Sequence, residues 1–156
     1  MFVAASLLAA TVFGLPDACV AGAHGTAALV TVHGFRDRTG NLRIAIYRAN
    51  EEEYLESGRY VQRLDTPMTE EGDMTVCAPV PEAGRYAVFA LHDRNENGKL
   101  DPFRDGVGMS QNPKFGLSKP KLEKVEIDLD GVTPITIQLN YLQGLSVRPW
   151  RDSQNR

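Results

Sequence analysis

The strongest constraint on the fold of this chain is a period of two in its apolar residues, carried by short runs with turns between them. Leu42, Ile44 and Ile46 fall on one side of such a run, and Arg43, Ala45 and Tyr47 on the other. Successive side chains point to opposite faces of a strand, so the pattern makes a ribbon with one face for a core. Ala27 to His33, Thr75 to Val80, Arg85 to Leu91 and Ile135 through Leu139 toward Tyr141 read the same way, and Leu122 to Leu129 follows with an imperfect start. Thr39-Gly40-Asn41, Pro81-Glu82-Ala83-Gly84 and Asp130-Gly131 supply turns. The first two strands, joined by Phe35 to Asn41, are expected to form a hairpin. Pro79, which has no N–H to give a ladder, places its strand at an edge or ends it early. Glu51 to Glu56 predicts one or two helical turns before Gly58, and Leu64 to Asp73 predicts a loop. The expected class is all-β, a small β-sandwich of about seven strands, immunoglobulin-like or transthyretin-like. An open barrel is the alternative.

A chain of 156 residues is expected to make one domain with a core that needs no staple. Its 17 basic and 20 acidic residues are spread along it, so no polybasic patch offers itself to nucleic acid. The first 16 residues are apolar or small, and Ala21-Gly22-Ala23 offers small residues for cleavage before His24. These features predict a signal peptide over 1–23, a sandwich over 24–145, a polar tail over 146–156 and a periplasmic or secreted protein. The signal pattern lacks a basic residue ahead of the apolar run. Gly14, Pro16 and Asp17 interrupt the run before it reaches the roughly 20 residues of a membrane anchor. Cleavage after Ala23 removes Cys19 and leaves Cys77 as a small core residue without a disulfide partner. Pro16-Asp17-Ala18 is a poor lead-in for a lipid-modified Cys19.

The densest chemical signal follows the run Tyr86 to Leu91. Asp93, Asn95 and Asn97 stand at relative positions 1, 3 and 5, with Gly98 at position 6. This is the first half of a calcium loop: alternate oxygens converge, the glycine allows the turn, and the carbonyl of Lys99 at position 7 faces inward. Leu100 is expected to plug the loop into the core, and Asp101 or Asp105 to close the site, since Arg104 stands where an EF-hand has its bidentate Glu. The candidate metal residues are therefore Asp93, Asn95, Asn97, Lys99, Asp101 and Asp105. The same residues also suit a metal-free turn, in which Asp and Asn cap their own backbone.

Val32-His33-Gly34-Phe35-Arg36 with Gly40-Asn41-Leu42, and Gly84-Arg85-Tyr86-Ala87 running into His92-Asp93-Arg94-Asn95-Glu96-Asn97-Gly98-Lys99-Leu100-Asp101, resemble the DUF2141 family of exported bacterial proteins of unknown function. The resemblance covers roughly residues 28 to 142. It implies a β-sandwich and provides no reaction. The family continues with a Gly-Ile/Val-Pro-x-Glu stretch, where this chain has Gly106-Val107-Gly108-Met109-Ser110, without the Pro and Glu.

Other constellations are thinner. His33 and His92 end strands and would make a transition-metal or acid–base site if they met beside Asp93. His24, if first in the mature chain, would offer copper an α-amine and an imidazole together. Neither Ser110 nor Ser118 sits in a nucleophile elbow. Lys114, Lys119, Lys121 and Lys124, with Phe115 and Leu117, form the one locally basic stretch. The leading expectation is an exported, non-catalytic interaction or accessory module of the cell envelope, calcium-stabilised at the loop and partnered by an envelope protein or glycan. The alternatives are a periplasmic copper-handling protein and a hydrolase using the strand-end histidines.

Overall fold

The computed structural model describes residues 10–151. The first nine residues of the apolar leader and the last five of the tail lie outside that range. Eleven strands form among the described residues: β1 (Val12–Gly14), β2 (Thr26–His33), β3 (Asn41–Arg48), β4 (Gln62–Pro67), β5 (Met74–Val80), β6 (Gly84–Asp93), β7 (Gly106–Met109), β8 (Glu126–Leu129), β9 (Val132–Gln138), β10 (Asn140–Gln143) and β11 (Ser146–Pro149). They make a β-sandwich of a four-stranded sheet, β1-β5-β2-β9, and a seven-stranded sheet, β11-β10-β7-β6-β3-β4, with β8 also paired to β6.

Period-two alternation builds the core directly. Ala28, Val30, Val32, Met74, Val76 and Ile137 of the smaller sheet meet Leu42, Ile44, Ile46, Val88 and Ala90 of the larger, all fully buried. The ten-residue β6 is central. It pairs with β3 along one side, and with β7 and β8 at different heights along the other. Its opposite face is also apolar: Ala87 and Phe89, with Met109, lie under a second cluster of Tyr54, Leu122 and Val125. Burial against two layers explains why β6 reads as a nearly unbroken apolar run.

The expected hairpin between β2 and β3 does not form. β2 pairs with β5 and β9, whereas β3 pairs with β4 and β6, so the chain between them crosses from one sheet to the other. Both strands present an apolar row to the same core, which facing sheets satisfy and a flat hairpin would not. Leu64 to Pro67, expected as loop, belongs to β4, where Leu64 pairs with Ile44. The expected helical turns at 51–56 are a reversal instead, closed by Tyr54 N–H to Asn50 O at 3.0 Å and turned at Leu55, whose φ is 56°. Leu122–Lys124 is a short 3-10 turn ahead of β8, which accounts for the imperfect alternation there. Ser146–Pro149, expected in the polar tail, pairs with β10 as β11.

Pro79 behaves as its chemistry requires. Its carbonyl points away from β2, accepting a bond from the Gln62 side chain at 3.0 Å, and the missing N–H falls on that same outer side. The expectation that Cys77 has no disulfide partner is corrected: it is bonded to Cys19, across 58 positions of sequence. Closing a loop of that length is worth about 4 kcal/mol in the chain-entropy account.

Gly108 on β7 has no room for a side chain: a Cβ would lie 2.4 Å from Ile137 and 2.7 Å from the backbone oxygen of Gln138. Replacing Gly108 with Ala is expected to cost about 1–3 kcal/mol, because a strand must shift to admit the methyl group. Chemical denaturation of both proteins measures the difference.

Candidate functional site

The Asp/Asn loop folds on its own backbone. Asp93, almost wholly buried at the end of β6, accepts Asn97 N–H at 3.3 Å and Gly98 N–H at 2.8 Å. Asn95 accepts Asn97 N–H at 3.4 Å, and Asn97 accepts Lys99 N–H at 2.9 Å. Further on, Asp101 accepts Phe103 N–H at 3.0 Å. The buried Asp105 closes the loop, with one oxygen on Arg94 N–H at 3.0 Å and the other on Asp101 N–H at 2.7 Å. Each of these oxygens thus meets a backbone donor of the kind a turn leaves unpaired. Lys99 contributes its amide to this set. Among the described residues no three His, Cys, Asp or Glu side chains are grouped to hold a metal ion. Leu100 does not plug the core as expected; it is 48% exposed and stands at a cleft.

The loop is tied to the strand ends by charge and by a buried histidine. Arg94 donates through Nε to Asp37 at 2.8 Å and through Nη1 to Arg104 O at 2.9 Å, while Arg43 reaches Gly98 O at 2.9 Å. Partial burial opposes ionisation of Asp37, but hydrogen bonds from Arg94 and Thr39 and the Arg94 charge hold its carboxyl at about 2. His92 is fully buried, with Nε2 2.7 Å from the Thr39 carbonyl and Nδ1 2.7 Å from the Tyr141 hydroxyl. A carbonyl only accepts, so Nε2 carries the proton and Nδ1 accepts from Tyr141. That hydroxyl in turn accepts Arg36 N–H at 3.1 Å. Phe35 and Tyr141 stand edge-on to the imidazole, and Trp150 stacks edge-on to Tyr141 beneath the Arg36 guanidinium. Gly40 lets the crossing loop touch β6: its φ is +78°, and a Cβ there would lie 2.0 Å from Asp93 O.

This geometry gives His92 a structural task. His92 has both ring nitrogens engaged and no exposed surface. Ser110 is also buried, donating to Val125 O and accepting Val88 N–H at 3.0 Å.

An accessible apolar concavity lies elsewhere, on the outer face of the larger sheet where the second apolar cluster stops short. A cleft of 260 Å³ has Phe89, Val107, Met109, Leu142 and Val147 as its floor, and Leu55, Leu100, Pro102, Phe115 and Leu117 as its walls. Asn140, Asp105, Ser118 and Lys119 are the polar members of its lining. Leu117 is fully exposed at the rim. Lys119 lies 3.9 Å from Glu56 and 5.1 Å from the Tyr54 ring centroid.

A family model described as an uncharacterized protein conserved in bacteria (DUF2141) matches residues 30–136. The chain belongs to this family. No curated protein and no solved structure matches it. Within this DUF2141 chain the matched span contains the whole Asp/Asn loop, His92 and Asp37. Tyr141, Trp150 and the Leu142 and Val147 floor of the cleft follow it, and Cys19 precedes it. Sequence reasoning found the loop because its ligands are local. It missed Asp37, Tyr141 and Trp150, whose partners are distant; the only local sign was Asp37 two positions before Thr39, which forms a side-chain turn.

Burial pushes the His92 imidazole below its ordinary value of 6.5, outweighing the Thr39 carbonyl and Asp37, which favour the cation. A lowered folded value means that the unfolded chain binds the proton first. The stability His92 contributes is therefore complete above pH about 6.5 and is lost as pH falls through the lower folded value. Melting temperature is expected to fall on acidification below that point and above the carboxylate range. His92→Gln should be less stable at neutral pH and should flatten that part of the profile.

Proposed function

We propose that this protein is an exported, non-catalytic accessory module of the cell envelope that holds a partner protein through the apolar cleft. The observation that carries this reading is the cleft itself: an apolar floor on a rigid sheet, with Leu117 fully exposed and Leu100 half-exposed at its edge. Solvated apolar side chains gathered at one concavity are stabilised by covering them. The lining suits side chains of a protein better than the hydroxyls of a glycan, and the volume is below that of most small-molecule sites. Lys119 in the lining, with Lys114 and Lys121 in the same segment, favours a partner that carries acidic residues beside its apolar ones. Export is supported by the Cys19–Cys77 bond, since disulfides persist in oxidising compartments.

The test is site-specific photocrosslinking in the envelope fraction. A crosslinker at Leu117 is expected to give one discrete adduct that Leu100→Asp removes, and a crosslinker at the exposed Tyr60 is expected to give none. Equal labelling from both positions, or an adduct indifferent to Leu100→Asp, would contradict the cleft as the contact surface.

We further propose that the Asp/Asn loop holds shape without calcium. Its carboxylates already accept backbone N–H groups, and the Arg43 and Arg94 guanidinium groups stand against it. Asp93→Ala is expected to cost about 1–3 kcal/mol by orphaning the Asn97 and Gly98 amides. The melting temperature of the unmutated protein should be the same in millimolar calcium as in chelator. A rise with calcium that Asp93→Ala removes would restore the metal-ligand reading of Asp93, Asn95, Asn97, Lys99, Asp101 and Asp105.

A further inference from the structure

The segment Val12–Cys19 lies along the outer edge of β5, half-buried at Val12 and Phe13. Val12, Phe13 and Gly14 pair in parallel with Thr75, Val76 and Cys77 of β5. Leu15 N–H continues the ladder to Cys77 O at 3.0 Å, and Phe13 packs on the central core. Gly14 is pressed onto β5 so tightly that a Cβ would lie 2.5 Å from Cys77 O and 2.9 Å from the Val76 side chain, at a φ of +78°. The short turn Pro16–Cys19 then brings Cys19 onto Cys77. A leader that is cut away before the domain folds has no need of a glycine where only glycine fits, nor of a cysteine opposite a buried cysteine.

We infer that the mature protein keeps Val12–Cys19 as a strap over the outer edge of β5, locked by the Cys19–Cys77 bond, and that any leader is removed upstream of Val12 and not after Ala23. The inference rests on the export reading above. In forming the bond the two thiols release two protons and pass two electrons to a disulfide-bearing oxidant, which leaves as a dithiol after exchange through a mixed disulfide. Two consequences follow for the chain. The strap occupies backbone groups of Thr75 to Cys77 that would otherwise template pairing with another chain. His24 becomes an internal residue, so the amine-and-imidazole chelate for copper does not arise.

The experiment is to express the full chain with its leader, block free thiols during lysis, and measure the intact mass of the envelope or secreted fraction before and after reduction. The expected protein begins at or before Val12, takes up no alkylating reagent before reduction and takes up two equivalents after it. A mature chain that begins after Cys19 with one alkylated thiol overturns the strap, and so does a retained segment with two thiols free. Cys77→Ser separates retention from bonding: the exported variant should carry one alkylated thiol, at Cys19, and an alkylation count of zero overturns the inference. Wild-type protein confined to the cytosolic fraction with both thiols alkylated overturns the export reading itself, a result distinguishable by its location.

Discussion

β6 is apolar on both faces, and most of the architecture is a response to that one condition. A strand with one apolar face needs one cover; this one needs two. The smaller sheet covers the face of Tyr86, Val88 and Ala90, while the segments around Tyr54 and Leu122 cover Ala87 and part of the other side. Tyr54 fastens those two segments together through its hydroxyl, which donates to Pro120 O at 2.9 Å. Burial, with Glu51 nearby, raises that phenol to about 12, so it stays a neutral donor across the physiological range. The cleft is the remainder of the same face, where the second cover ends before Phe89, Val107 and Leu142 are fully enclosed.

Fold class was legible because period-two alternation is a local property, and nearly every strong run became a strand. Sheet membership was not. Whether Leu42 faces Val30 across a hairpin or across a core depends on contacts that the spacing of either run does not encode, and the core won. The weak strands were also hidden: Val12–Gly14, Gly106–Met109 and Ser146–Pro149 are three or four residues each, too short to display a period. At the loop, the oxygen donors were legible and their use was not. Asx residues at alternate positions can serve a cation or serve amides, and in this geometry the buried Asp93 and Asp105 accept backbone N–H groups.

The disulfide shows how one assumption about processing changes the chemistry assigned to a chain. Treating the first 23 residues as disposable made Cys77 a solitary thiol, made His24 a chain terminus, and left β5 with an open edge. Cys19 bonds to Cys77 and Val12–Gly14 pairs with β5, so retention of this segment would change all three together, because they were consequences of one boundary. The apolar character of Val12 and Phe13 serves a strand as well as it serves a leader, which is why hydropathy alone did not separate the two roles.

The only tryptophan of the chain directly follows β11. Trp150 lies with its ring 6.0 Å from Tyr141 and 4.6 Å from the Arg36 guanidinium, one step from the buried imidazole. The protein therefore carries a built-in fluorophore at the junction of β10, β11 and the crossing loop. Its tryptophan emission originates from a single place, and a change in its colour or quenching would report loosening of that corner specifically.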